Sequence, residues 1–436
     1  GRKRIDFLFL QPNITIATKI MRYLLSAPSH IKATIQLPAS KSISNRALII
    51  HALSKGNDVL SNLSDCDDTR VMVKALTEGG EVIDILAAGT AMRFLTAYLS
   101  STPGTHIITG TERMQQRPIQ ILVNALRELG ASIEYTRNEG FPPLRIEGAP
   151  LTGNEITLKG NVSSQYISAL LMIGPILKNG LQLRLTGEVV SRPYINLTLQ
   201  LMKDFGASAR WTSDQSISVE PQPYRCVPFT VESDWSAASY WYQMAVLSSE
   251  ADIELTGLFR HSYQGDSRGA EVFARLGIET EYTEEGIRLR KNGSCVKRLD
   301  EDFVDIPDLA QTFVVTCALL DVPFRFTGLQ SLKIKETDRI EALKAEMKKL
   351  GYVLHDEDDS ILYWNGERIE PQACPVIKTY EDHRMAMAFA PAAIHYPTIQ
   401  IDEPQVVSKS YPGYWDDLRK AGFVIEAHAA ETSSRQ

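Results

Sequence analysis

Cations and carboxylates in this chain gather in short polar strings, each running into an apolar, Ala-rich stretch. The first string supplies Lys41, Ser42, Ser44, Asn45 and Arg46; the second Gly89, Thr90 and Arg93; the third Ser163, Ser164 and Gln165. Asp234 and Asp308 open the fourth and fifth stretches, and His383 and Arg384 the last. If these stretches are helices, their first turns offer free N–H groups and about half a positive charge, a ready anion site. Six starts aimed at one cleft would make an anion trap, and acids set among the cations could move protons there. More functional types lie between the stretches: Arg117 in QQRPIQ, Lys333, Lys335, Glu336, Asp338 and Arg339 in LKIKETDRIEALK, and Lys409 in KSYPGY. Taken alone, each has a plainer reading. Asp234 reads as a helix cap, LKIKETDRIEALK as a solvated helix face, and Lys409 as a surface lysine.

Two patterns must position these residues. An amphipathic stretch, a glycine and a short β-like run recur six times, with the glycines at Gly80, Gly130, Gly206, Gly277, Gly351 and Gly422. After a shorter first interval the spacing is 71–76 residues. Glycine just past a helix takes the left-handed conformation that stops it. In step run six apolar stretches: SISNRALIIHAL, GTAMRFLTAYL, SSQYISALLMI, DWSAASYWYQMAV, PDLAQTFVVTCALL and EDHRMAMAFAPAA. Apolar nearly all round, they predict buried helices. Six units predict two domains of three, with a break near residues 227–235. On periodicity alone the strand at 33–40 fits either domain.

Composition excludes several classes. The chain has 436 residues with 46 Lys+Arg against 53 Asp+Glu, a net charge of −7, so no global basic field holds nucleic acid or an anionic membrane. Five dispersed cysteines without a C-x-x-C pair argue against a disulfide framework or structural zinc and for a reducing, cytoplasmic setting. No H-x-x-x-H or H-E-x-x-H spacing occurs, so no metal is expected. No apolar run approaches the roughly 20 residues of a membrane span. In residues 1–20 the patch FLFL is too short for a signal sequence. Met21 looks like a natural initiator, and residues 1–20 read as an upstream extension or expression remnant.

Ten ordered strings resemble the 5-enolpyruvylshikimate-3-phosphate synthase family: PASKSISNRA, AGTAMRF, QRPI, SSQY, SRPYI, DWSAASY, PDLAQT, KETDRI, EDHRMAM and KSYP. The resemblance implies an α/β fold, a two-domain inverse α/β barrel with three βαβαββ units per domain and the site in the interdomain cleft. Its domains would be 40–231, and 21–39 with 232–428. It implies enolpyruvyl transfer from phosphoenolpyruvate to the 5-hydroxyl of shikimate 3-phosphate through a tetrahedral adduct, without metal or organic cofactor, in a monomer. The phosphoshikimate site would use Lys41, Ser42, Arg46, Ser163, Ser164, Gln165, Ser191, Tyr194, Asp308 and Lys335. The phosphoenolpyruvate site would use Lys41, Gly89, Arg117, Gln165, Arg339, Arg384 and Lys409. Asp308 resembles the proton acceptor and Glu336 the donor, with Lys41, His383 and Lys409 nearby; Asp308 is expected to open a buried helix, and Glu336, if desolvated in the closed cleft, to hold a proton near neutral pH.

Three positions depart from the family pattern: Ala87, Phe94 and Ser331, where Asn, Pro and Asn are usual. Phe94 is expected to disturb the helix start before it, and Ser331 to shorten one phosphoshikimate contact. Two rivals remain. A UDP-N-acetylglucosamine enolpyruvyl transferase would carry a loop cysteine, and no cysteine lies between Cys66 and Cys226. An inactive binding protein on the same scaffold would have lost charged site residues, and none is lost.

Overall fold

The computed structural model describes residues 21–429; the proposed extension at 1–20 lies outside the described residues. The six apolar stretches form helices Lys41–Ser54, Gly89–Ser101, Ser164–Ile173, Trp235–Leu247, Ala310–Leu319 and His383–Phe389. Every residue of the last three is buried, as expected of helices with no polar stripe to face water. The amphipathic stretches form outer helices Asp67–Glu78, Gln120–Glu128, Arg192–Asp204, Gly269–Arg275, Arg339–Lys349 and Tyr414–Lys420. All six glycines that follow them have φ between 85 and 109°, the region an L side chain enters only at a cost.

The described strands make five four-stranded sheets and one two-stranded pair. In four sheets the strand entering a buried helix lies parallel to the strand leaving it, as in Val82–Asp84 with Gly104–Thr109 and Leu299–Asp302 with Phe324–Thr327. At the first and fourth buried helices the partners are exchanged. His30–Gln36 enters the first helix but pairs with Glu250–Thr256, which leaves the fourth. Phe229–Thr230 enters the fourth but pairs with Leu60–Ser61, which leaves the first. The chain therefore crosses twice between its halves, and strand Met21–Ser26 completes the last sheet. No helix among the described residues is long and apolar enough to cross a membrane.

Buried apolar side chains form two clusters. One runs from Ala39 to Val231; the other takes Leu25 to Leu37 and then Trp235 to Phe423. The two crossing segments run side by side, with Ser40 N–H donating to the Glu232 carbonyl at 2.9 Å. Gln264 fastens them: its Nε2 donates to Glu232 Oε1 at 2.8 Å and to the Ser233 carbonyl at 2.7 Å, and its Oε1 accepts from Trp235 N–H at 2.9 Å.

Candidate active site

The first half contributes a wall of cations. Ser40 caps the first buried helix, so the following residues begin at its mouth. Lys41 Nζ lies 2.9 Å from Asp68 on the outer helix Asp67–Glu78. Burial pulls its ammonium down, but Asp68, with Cys66 and Glu336, lifts it above the ordinary lysine value. Ser42, half-buried, turns its carbonyl to Arg46 at 3.1 Å. Arg46 also donates to Thr198 at 2.7 Å and Ser168 at 3.1 Å, and lies 5.3 Å from the Phe94 ring and 5.9 Å from the Tyr194 ring. Burial pulls Arg46 down to about 10, and Tyr194 offsets this in part. The helix that carries Phe94 begins at Gly89, and the flat, fully buried Phe94 ring seats the Arg46 guanidinium.

Beside this wall lies a second group. A Cβ on Gly89 would stand 2.8 Å from an Arg117 guanidinium nitrogen, so the missing side chain is what lets Arg117 approach. Burial first, then the like charge of Arg93, pulls Arg117 below the usual arginine value. Ser163 caps the third buried helix by accepting from Gln165 N–H, and Ser164 opens it. The Gln165 amide donates to Thr90 at 2.9 Å and accepts from Arg93. Thr90 and Arg93, read in the sequence only as helix-start residues, thus join the candidates.

The second half brings the acids. Contrary to expectation, Asp308 does not open the buried helix: it sits in the 3-10 turn Pro307–Leu309, the helix starts at Ala310, and Asp308 caps neither. Its oxygens lie 3.3 Å from Arg339 and 3.3 Å from Arg384, and accept from the Tyr194 hydroxyl at 3.3 Å across the cleft. Burial pushes its carboxyl up, but Arg384, Lys335 and Arg339 together hold it well below the usual carboxylate range. Asp234 caps the fourth buried helix, as its position predicts.

Lys335 and Glu336 occupy a bend between the 3-10 turn Gln330–Ile334 and the helix that Asp338 caps at Arg339, so no helical step separates them. Ser331 lies within that turn, and Ala87 is exposed beside the Gly89 helix. Glu336 accepts from Arg339 at 2.7 Å and from Lys409, with His383 Nδ1 at 3.9 Å. Glu336 therefore does not hold a proton in this arrangement. Burial favours the neutral form, but the charges of Arg339 and Lys409 keep the carboxyl well below its ordinary range. Burial and the charges of Arg384, Arg339 and Lys409 hold His383 neutral, outweighing Glu336. Arg339, almost fully buried, also donates to Asp382 at 2.7 Å, and Asp382 caps the last buried helix through Arg384 N–H. Arg384 reaches the Tyr240 hydroxyl at 3.2 Å.

Tyr194, Asp308, Glu336, Arg339, His383, Arg384 and Lys409 thus form one connected cluster, with the charges of Lys41 and Lys335 acting on it. Ser164 and Ser191 make no side-chain hydrogen bond among the described residues; Ser191 takes φ 56° one residue before the helix that carries Tyr194. Asp68, Tyr240 and Asp382 were absent from the sequence candidates, although Asp382 stands in the same EDHRMAM string. Among the described residues Arg46, Arg93, Arg117 and Lys335 make no ion pair with a carboxylate, so positive charge remains available to a ligand.

Two halves of three strand–helix units each, with the cluster where they meet, have the architecture of the two-domain inverse α/β barrel. Two structures of EPSP synthase from Acinetobacter baumannii share this fold, with TM-scores of 0.80 and 0.78 at 21% and 20% identity, covering 94% and 93% of this chain and 100% and 99% of theirs. The family model described as EPSP synthase (3-phosphoshikimate 1-carboxyvinyltransferase) matches residues 25–86 and 77–418, and the chain belongs to that family. It is 90% identical over 406 residues to a 3-phosphoshikimate 1-carboxyvinyltransferase of Bacteroides fragilis, covering 93% of this chain and 99% of that relative. To one of Sulfurovum sp. it is 36% identical, covering 89% and 96%.

Proposed function

We propose that the cleft seats shikimate 3-phosphate and phosphoenolpyruvate side by side and that its two carboxylates divide the proton transfers. As a family member the chain transfers the enolpyruvyl group of phosphoenolpyruvate to the 5-hydroxyl of shikimate 3-phosphate and releases phosphate, the carboxyvinyl transfer of the shikimate pathway to aromatic amino acids. Arg46, Ser42, Ser163, Ser164, Gln165, Ser191, Tyr194 and Lys335 are assigned to shikimate 3-phosphate. Arg117 beside Gly89, with Gln165, Arg339, Arg384 and Lys409, is assigned to phosphoenolpyruvate, and Lys41 to both.

The observation that carries this reading is the imbalance of charge: four cleft cations lack an acid, while Asp308 and Glu336 occupy the arginines that ligand anions would take. An incoming phosphate or carboxylate shares those arginines and raises both carboxyl pKa values toward a working range. Asp308 then takes the proton of the 5-hydroxyl as its oxygen bonds to C2 of phosphoenolpyruvate, and Glu336 delivers a proton to the methylene carbon. The tetrahedral adduct collapses by breaking the C2–O bond to phosphate; the methyl carbon returns its proton to Glu336, and the proton held by Asp308 passes to the phosphate, which leaves as hydrogen phosphate. His383, held neutral, lies beside Glu336 with Nδ1 at 3.9 Å.

The domains in this reading are 40–231, and 21–39 with 232–428, supported by the two apolar clusters. One chain supplies both walls of the cleft, which supports a monomer, and five free cysteines suit the cytoplasm. Phosphate release on mixing both substrates, with each omitted in turn, tests the activity: release must need both. Release from phosphoenolpyruvate alone would defeat this assignment of the cleft.

A further inference from the structure

We infer that Glu346, outside the cleft, is a positioning residue for the phosphoenolpyruvate side of the site, acting through the turn that precedes His383 and Arg384. This rests on the reading that Arg384 binds phosphoenolpyruvate. Tyr380 and Glu381 are consecutive non-glycine residues with φ of 56 and 57°. L side chains disfavour that conformation, a tyrosine more than the aspartates that adopt it in the exposed turn at Asp358–Asp359, so at Tyr380 the surroundings must support it. Immediately after it, Asp382 caps the last buried helix and presents His383 and Arg384.

The enforcing groups come from one helix, Arg339–Lys349. Glu346, only 1% exposed, accepts at Oε1 from the Lys378 backbone N–H at 2.6 Å and from Lys349 at 2.6 Å, and at Oε2 from the Tyr380 hydroxyl at 2.9 Å. Arg339, seven residues earlier and so almost two turns away on the same face, holds Asp382 at the far end of the turn. The turn is therefore clamped at both ends by the helix whose first residue is Arg339. At its tip Glu381 faces Arg113 of the first half at 3.7 Å. Without the Glu346 clamp, the backbone at Lys378 and Tyr380 loses its fixed points and the left-handed pair relaxes. Arg384 and His383 then lose their aim, while Arg46 and Gln165, on the opposite wall, keep theirs.

The test uses the full chain. Glu346→Ala is expected to raise KM for phosphoenolpyruvate at least about tenfold, within the roughly hundredfold that a 1 Å misplacement can cost. The dissociation constant of shikimate 3-phosphate, from calorimetry of the binary complex, should change less than about twofold, within the spread of a remote site. Glu346→Gln should restore phosphoenolpyruvate kinetics, because the amide keeps an acceptor for Lys378 N–H and a hydrogen bond to Tyr380. Equal weakening of both substrates, or unchanged phosphoenolpyruvate kinetics in Glu346→Ala, would overturn the inference. If Glu346→Ala does not fold, Tyr380→Phe decides on the same two readouts, since it removes one hydroxyl and leaves no cavity. Arg384→Gln is the control. If it leaves KM for phosphoenolpyruvate unchanged, the underlying site reading fails as well; if it raises KM while the Glu346 variants do not, only the inference fails.

Discussion

Asp308 receives Arg339, Arg384 and Tyr194 but caps no helix, so its removal should cost chemistry more than helix stability. Asp308→Asn is expected to fold, to bind shikimate 3-phosphate and to lose at least about a hundredfold in turnover, the scale of one acid/base group. Rapid-quench turnover measurements check it, and near-normal turnover would pass the base role to Lys41 or Lys335. Its neighbour Asp266 behaves in the opposite way. Burial and then the charge of Asp308 push the Asp266 carboxyl up to about 8. The folded pKa lies above the unfolded value near 4. The native state thus binds a proton that the unfolded chain has lost, and stability from this group falls as pH rises from about 4 to 8. Asp266→Asn removes that loss. Without ligand, the melting temperature of Asp266→Asn minus that of the parent should grow between pH 5 and pH 8; a constant difference would show that Asp266 does not titrate there.

At the next scale, the buried helices place chemistry at their mouths because their bodies have no polar face to expose. The left-handed glycines return the chain to strand after each outer helix, so the pattern repeats with little variation. What the repeat does not supply is the fastening between halves. Gln264, 8% exposed, satisfies Glu232, the Ser233 carbonyl and Trp235 N–H at once. Gln264→Leu strands these groups, and leaving a buried polar group unpaired costs about 1–3 kcal/mol. Thermal unfolding should show a lower melting temperature with the catalytic residues intact. A melting temperature equal to the parent's would mean that water satisfies the crossing segments instead.

For the molecule as a whole, cations on both walls repel until an anion lies between them. Arg46, Arg93 and Arg117 stand on one side and Lys335 on the other, while the halves already touch at Tyr194–Asp308 and Arg113–Glu381. Saturating shikimate 3-phosphate should therefore shift solution scattering to a smaller radius of gyration, and less so at high salt, where the repulsion is screened. An unchanged radius would mean that the cross-cleft contacts suffice without ligand.

Periodicity made the six buried helices, the six glycine stops and the count of units legible, because helix periodicity and glycine's conformational freedom are local properties of sequence. The ordered motifs also made the family legible. The exchange of strands at the first and fourth helices was beyond reach, since pairing Glu250–Thr256 with His30–Gln36 depends on contacts more than 200 residues apart. Charge states were equally hidden. Glu336 was expected to hold a proton if the cleft desolvated it, yet folding brings Lys409, more than 70 residues distant in sequence, to its side. Its position after Pro307 put Asp308 at the opening of a buried helix, and it became a cross-cleft partner of Tyr194 only when the halves met. Local propensity determined the elements; which carboxylate meets which cation was decided by tertiary packing, because charge interactions depend on distance through space.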